Sequence, residues 1–287
     1  MKVALICCGR LENRYAVEWV EYYKQLGIDH IYIADNNYDD EEYFEDVLQS
    51  YIDNNFVTIL NYRNVEKVQK VAYNEIYKQI SKDYDWICIF DFDEFLTFTK
   101  DKNIKEYLSR DCFNGIDQIL INWLSYTDNN LIYDDGRPCL ERFTELLDPN
   151  ICVRNKFEKE NKIVKQILRS NIKDIEINTH ISDCEGLFEK TCNNIGDSIP
   201  DENKHLLFQN VNHDLAYLRH YATKTIEEYI NLKVRRGGGD IAKDEFNTYY
   251  GPNGLTNFFR YNKVTPEKLE FLKSKGIEYI AEQNKKR

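Results

Sequence analysis

The chain has 287 residues, 42% hydrophobic and 14% aromatic, enough to build a sizeable core in one large domain or a domain with a smaller appendage. That composition excludes an intrinsically disordered chain. A formal charge of −11 is the reverse of what a protein gripping nucleic-acid backbones carries, so nucleic acid is not expected as a partner.

VALICC (3–8) is a short continuous apolar run, as in a strand covered on both faces. ENRYAVEWVEYYKQLG follows, with Tyr15, Trp19, Tyr22 and Leu26 on one helical face and Gly27 as the stop. HIYIAD (30–35) reads as a second strand, 41–53 as a helix, FVTIL (56–60) as a third strand and 65–81 as a helix. WICIF (86–90) is the fourth strand, and it runs into Asp91, Asp93 and Glu94. Strands alternating with helices predict an α/β fold with a mostly parallel sheet and right-handed crossovers. Polar loops follow the strand ends at 10–13, 35–40, 61–64 and 91–94, the edge at which open α/β sheets bind ligands.

Beyond residue 100 the pattern loosens. DQILINW (117–123), KIVKQILR (162–169) and IEINTH (175–180) read as strands in an α+β extension. Residues 225–236 read as a helix, with Thr225 and Glu228 at capping-box spacing. A last helix starts at Thr265-Pro266-Glu267, an N-cap followed by proline at the first helical position. The low-complexity content is limited to residues 237–239. The eight cysteines form no C-x-x-C pair, which predicts reduced thiols rather than a disulfide frame or a zinc site. No apolar stretch approaches the roughly 20 residues needed to span a bilayer, and the short N-terminal run predicts no secretory signal. A cytoplasmic protein is expected. The basic tail Lys285, Lys286 and Arg287 offers at most peripheral contact with the inner face of a membrane.

Asp91-Phe92-Asp93 carries the chemistry. In extended backbone, i and i+2 point the same way, so two carboxylates would converge at the sheet edge and repel. A divalent cation removes that conflict, and Mg²⁺ or Mn²⁺ is often held by one or two carboxylates plus substrate phosphates. D-x-D alone also serves as a cap or surface turn; its place after a fourth buried strand favours the metal.

The stretch ENRYAVEWVEYYKQLGIDHIYIADNNYDD resembles the opening of GT-A-fold glycosyltransferases, in the branch near families 2 and 92. DWICIFDFDEFL looks like their D-x-D-E-F motif, and RHYATKTIEEYINLKVRRG is similar to their later H-Y-x-x-K-[ST]-x-E stretch. INWLSYTDN and LERF stand where they carry W-x-x-[FY]-G and R-F, with Thr127 in place of the glycine. The resemblance spans roughly residues 1–240. It implies a GT-A domain over 1–240, with a nucleotide-binding half (1–100) and an acceptor half (101–240), followed by a helical extension over 241–287.

It further implies a bacterial-type, metal-dependent transfer of a sugar from a nucleotide-diphosphate sugar, most simply a UDP-sugar, to a glycan or lipid-linked glycan in surface polysaccharide synthesis. Asp91 and Asp93 would hold Mn²⁺ or Mg²⁺ on the diphosphate, with His220 completing the shell. Asp35 and Asn36 would contact the base or ribose, and Arg10 and Gln69 the donor. For Arg63, in a neighbouring loop, a surface charge is the expected role. Lys224, Lys233 and Arg236 would neutralise the diphosphate, or else form a solvated basic helix end. An inverting reaction needs a carboxylate base. Asp128, after the Trp123–Tyr126 segment, is the first candidate and Glu94 the second, although Glu94 could instead orient the site. Trp123 suits a buried core position better than a sugar platform, and His180 a structural one. The alternatives are a nucleotidyltransferase, whose Gly-rich first loop is missing here, a D-x-D phosphatase, and an inactive nucleotide-sugar binding module.

Overall fold

The structure, a computed structural model, describes residues 1–152, 159–200, 209–237 and 251–279. Gly238, Gly239 and the tail Lys285, Lys286 and Arg287 lie outside the described residues. Two compact units result: Met1–Ser125 with Cys152–His220, and Tyr126–Ile151 with Tyr221 onward.

The first unit is α/β and built as the N-terminal alternation predicts. Strands β1 (Val3–Gly9), β2 (His30–Asp35), β3 (Val57–Asn61) and β4 (Trp86–Ile89) alternate with helices α1 (Asn13–Gln25), α2 (Glu45–Asp53) and α3 (Gln69–Ile80). They pair in parallel in the order β3-β2-β1-β4. β1 and β4 are almost wholly buried because helices cover both faces, which is why they read as continuous apolar runs. Tyr15, Ala16, Trp19, Val20 and Tyr23 form the buried face of α1, so Tyr23 takes the place expected for Tyr22.

The sheet continues through two strands expected from the sequence, at 117–123 and 162–169, and three that its pattern does not mark. β5 (Glu94–Phe98), β6 (Gln118–Ser125), β7 (Val164–Arg169), β8 (Thr191–Asn193) and β9 (Ala216–His220) complete the order β4-β7-β6-β9-β5, with β8 beside β6. β7 runs antiparallel to both β4 and β6. β9 pairs with β6 in parallel and with β5 antiparallel, placing His220 opposite both Ser125 and Glu94. IEINTH is not a strand. The segment makes only an isolated bridge, Glu176 with Asp183, and otherwise lies as loop across α3, where Asn74 bonds both the N–H and the carbonyl of Ile177.

Gly9 ends β1 where a ring must come close. A Cβ there would lie 2.5 Å from Phe92 Cε2 and 2.9 Å from Phe44 Cζ. Those two rings stack at 5.3 Å and are buried. Gly9→Ala is therefore expected to cost about 1–3 kcal/mol by overpacking and to shift the turn that carries Asp91 and Asp93. Thermal unfolding and Mn²⁺ titration of the variant would check both effects.

The second unit has its own core of Ile226, Tyr229, Leu255, Phe258, Phe271 and Leu272. Thr225 and Glu228 form the expected capping box, each side chain accepting from the other's backbone N–H. Glu228 also pairs with buried Arg142 at 2.8 and 2.9 Å. The helix runs on through a π-turn, Tyr229–Lys233, to Arg236. Thr265 caps the last helix, Pro266–Ser274, with Pro266 in its first turn. All eight cysteines are free. Among the described residues no helix is long and apolar enough to cross a membrane.

Candidate active site

The acidic cluster departs from the geometry expected of an extended D-x-D. β4 ends at Ile89, and Asp91 to Glu94 form a tight turn closed by Glu94 N–H on the Asp91 carbonyl at 3.0 Å. In a turn the i, i+2 alternation fails, so the two aspartates face different partners. Asp91 accepts from Gln69 Nε2 at 2.9 Å and from the Tyr73 hydroxyl at 3.1 Å, while Lys165 Nζ stands 2.6 Å from its other oxygen. Asp93 Oδ1 instead lies 4.0 Å from His220 Nε2. Asp93, Glu94 and His220 offer ligand atoms that all lie within 4.8 Å of one another. Gln69, expected to contact the donor, donates here to Asp91.

Glu94 is fully buried at the start of β5. Its carboxylate accepts from Trp123 Nε1 at 2.8 Å and from Asp91 N–H at 2.9 Å, with Lys165 Nζ at 3.7 Å. Its backbone carbonyl accepts from Trp19 and Tyr23 of α1. Burial raises its pKa well above the ordinary glutamate value; Lys165 opposes the shift and Asp91 and Asp93 add to it. Lys165 on β7 is completely buried. Desolvation alone would favour the neutral amine, but Asp91 and Glu94 outweigh it, and the ammonium is held charged. So Lys165 stays an ammonium, while Glu94 is held nearer to protonation than an ordinary glutamate. The arrangement suits an orienting residue, since Glu94 has no open path to a substrate hydroxyl.

His220 stacks on Trp123 with ring centroids 3.7 Å apart and planes at 26°. Trp123 thus has a packing role, as expected, and joins Glu94 to His220. His180 meets the edge of the same indole at 5.7 Å, and its Nδ1 lies 2.8 Å from the Val164 carbonyl. Burial, with Lys165 nearby, lowers its pKa to about 3. An unfolded histidine titrates near 6.5, so the unfolded chain binds this proton first. Stability from neutral His180 is fully present above about pH 6.5 and is lost as pH falls toward 3. Urea unfolding from pH 7.5 to 4.5 is expected to show a shallower acid limb in His180→Gln than in the parent chain.

A second cluster occupies the loops after β1, β2 and β3. Asp35 accepts from the Asn37 N–H and side chain at 3.0 and 2.6 Å and pairs with Arg63 at 2.6 Å. Arg63 lies over the Tyr43 ring at 3.8 Å and is nearly buried, so it is a rim anchor and not the surface charge expected of it. Arg10 is bidentate to Glu41, both contacts 2.8 Å, and lies 3.9 Å over Tyr38. Asn36 ties down the Tyr62 and Val65 carbonyls. Leu11, at φ 56°, is held in the left-handed region by the Asn37 side chain on its N–H. These bonds stitch three loops into one preorganised rim.

The remaining expected residues belong to the second unit. Asp128 differs from a poised base: it is buried, and its carboxylate lies 2.5 Å from Lys268 Nζ while Asn262 holds its N–H. Lys233 Nζ donates to the Ala222 carbonyl at 2.7 Å, Lys224 is nearly buried at φ 54°, and Arg236 closes the helical stretch. Sequence reading missed Lys165, Tyr73 and Glu41. Lys165 had a signal: a lone lysine inside an apolar strand is buried only if it is paired.

The donor set of Asp93, Glu94 and His220, two carboxylates and an imidazole, fits a divalent ion such as Mn²⁺. The rim beside it offers aromatic faces, guanidiniums and amides. The family model described as glycosyltransferase family 92 matches residues 6–191. The chain belongs to glycosyltransferase family 92. It is an α/β glycosyltransferase, and the alternatives of nucleotidyltransferase and D-x-D phosphatase fall. Among curated proteins none matches the chain. Among solved structures this family 92 chain is similar to S. aureus TarS 1–349, at 11% identity and TM-score 0.43 over 96% of this chain and 79% of that one. The same TarS fragment in complex with UDP-GlcNAc gives 11% and 0.41 over 93% and 77%. The mannosyltransferase PcManGT from Pyrobaculum calidifontis, in complex with GDP-Man and Mn²⁺, gives 9% and 0.32 over 41% and 34%.

Proposed function

We propose that this glycosyltransferase moves a sugar from a nucleotide-diphosphate sugar to an acceptor hydroxyl with the help of Mn²⁺ or Mg²⁺. The convergence of Asp93, Glu94 and His220 at the C-terminal edge of the sheet carries the reading. Asp93 and His220 would hold the ion, with Glu94 as a third donor already oriented by Trp123. A divalent ion there supplies positive charge to a departing nucleoside diphosphate.

Asp91 is assigned differently from the resemblance. Its oxygens answer to Lys165, Gln69 and Tyr73, so its work is to anchor the turn that aims Asp93. Asp35, Asn36 and Arg10 belong to the rim that takes the nucleoside, with Tyr38 and Tyr43 as aromatic faces. A glycan or lipid-linked glycan acceptor, surface polysaccharide synthesis and a cytoplasmic setting at the inner face of a membrane follow from the resemblance.

A thermal-shift screen of UDP-, GDP-, CMP- and dTDP-sugars, with Mn²⁺ or with EDTA, tests this reading. One nucleoside diphosphate sugar should raise the melting temperature only when Mn²⁺ is present, and release of its nucleoside diphosphate should follow. Equal stabilisation in EDTA, or none from any donor, would defeat the metal-assisted mechanism.

A further inference from the structure

One buried carboxylate is unused by the site as described. Glu160 lies in a short turn, Glu160–Lys162, and is only 2% exposed. Its Oε1 is buried and has no hydrogen-bond partner among the described residues. An ionised oxygen left so is expensive unless a proton donor reaches it. The nitrogen facing it is His220 Nδ1, at 3.6 Å. His220 Nε2, across the ring, faces Asp93.

The turn is not free to move the carboxylate away. Asn161 accepts the Ser125 N–H at 3.1 Å, the Asn122 side chain reaches the carbonyls of Asn161 and Lys162, and Gln209 N–H bonds the Lys162 carbonyl at 2.8 Å. On the other side, the stack on Trp123 holds the imidazole plane. The Ser125 hydroxyl is the second group near Nδ1, at 3.5 Å. The two neighbours differ in chemistry. A serine hydroxyl can give a proton to Nδ1 or accept one, whereas a carboxylate only accepts. Serine alone would leave the tautomer open, and a proton on Nε2 would turn an N–H toward Asp93.

We propose that Glu160 is a positioning residue that draws the Nδ1 proton of His220 and so keeps the Nε2 lone pair facing Asp93, ready for a divalent cation. The inference rests on the metal site proposed above. A carboxylate behind a histidine ligand raises its basicity and fixes its orientation, and loss of such a partner typically lowers metal affinity by about 10–100-fold.

Two measurements on the full chain test it. The first is ¹⁵N NMR of histidine-labelled, metal-free protein, with His220 assigned through His220→Gln. The parent chain should carry the neutral proton of His220 on Nδ1, and Glu160→Ala should move it toward Nε2. The second is Mn²⁺ titration followed by electron paramagnetic resonance, alone and with UDP. Glu160→Ala should bind about 10–100-fold more weakly. Glu160→Gln, whose amide oxygen still accepts, should stay within a few-fold of the parent, and Ser125→Ala should change neither readout. A parent His220 protonated on Nε2 overturns the proposal even if no variant folds, as does Glu160→Ala with parental tautomer and Mn²⁺ affinity. Should the parent show the Nδ1 tautomer but take up no Mn²⁺ with UDP, Glu160 keeps its role toward His220 and the metal-assisted reading falls.

Discussion

Asp93→Ala is expected to lower kcat/KM with Mn²⁺ and the donor by at least about 10²–10³-fold, the range for losing one fixed electrostatic contributor to a charge-building step. The melting temperature of the free protein should change little. Asp93 closes no buried salt bridge to Lys165, and its neighbour His220 stays stacked on Trp123. Stabilisation by UDP plus Mn²⁺ should vanish with the activity. Asp91→Ala separates the two aspartates. It strands the buried Lys165 ammonium, so it should lose stability together with activity. Turnover of Asp93→Ala within about threefold of the parent would end the assignment of Asp93 as the principal ligand.

Lys165→Met is expected to be among the most destabilising single changes in the first unit. The ammonium sits between Asp91 at 2.6 Å and Glu94 at 3.7 Å, and the lysine is fully buried. Removing one member of such a group leaves uncompensated charge and costs about 3–5 kcal/mol. For a unit of this size that lowers the melting temperature by roughly 6–20 °C. The loss has a pH sign. Glu94 already has a raised pKa, and without Lys165 the main influence opposing that shift is gone. A carboxyl with a raised folded pKa loses stability as pH climbs above its unfolded value near 4.3. The deficit should therefore widen from pH 4 to pH 8. Adding Asp91→Asn and Glu94→Gln to Lys165→Met should recover most of it. Unfolding by urea across that range would measure both effects, and a flat, small deficit would show the lysine to be dispensable.

The alternation of the first ninety residues was legible because the physics there is local. Apolar runs of strand length, amphipathic helical spacing and Gly27 as a stop each act within a few residues, and the observed β1 to β4 follow them closely. The capping box at Thr225 and the Thr265-Pro266 start were legible for the same reason. β5 and β9 were not. β5 opens with a charged residue inside the acidic turn, and β9 (AYLRH) carries only five residues with a weak pattern. Their pairing is long-range, and it is what sets His220 opposite Glu94.

By itself, then, the sequence determined an α/β domain with its polar loops on one sheet edge and carboxylates among them. It also marked His220 as a partner through its motif. Only the tertiary structure decided how those carboxylates divide their work. A turn in place of extended backbone sends Asp91 to Lys165 and Asp93 to His220. A buried ammonium 74 residues away from Asp91 in the chain, and a buried glutamate behind the imidazole, complete the arrangement. The reason is electrostatic: a charge is tolerated in an interior only beside its complement. That complement is supplied by whichever strand the sheet brings alongside, which no local pattern encodes.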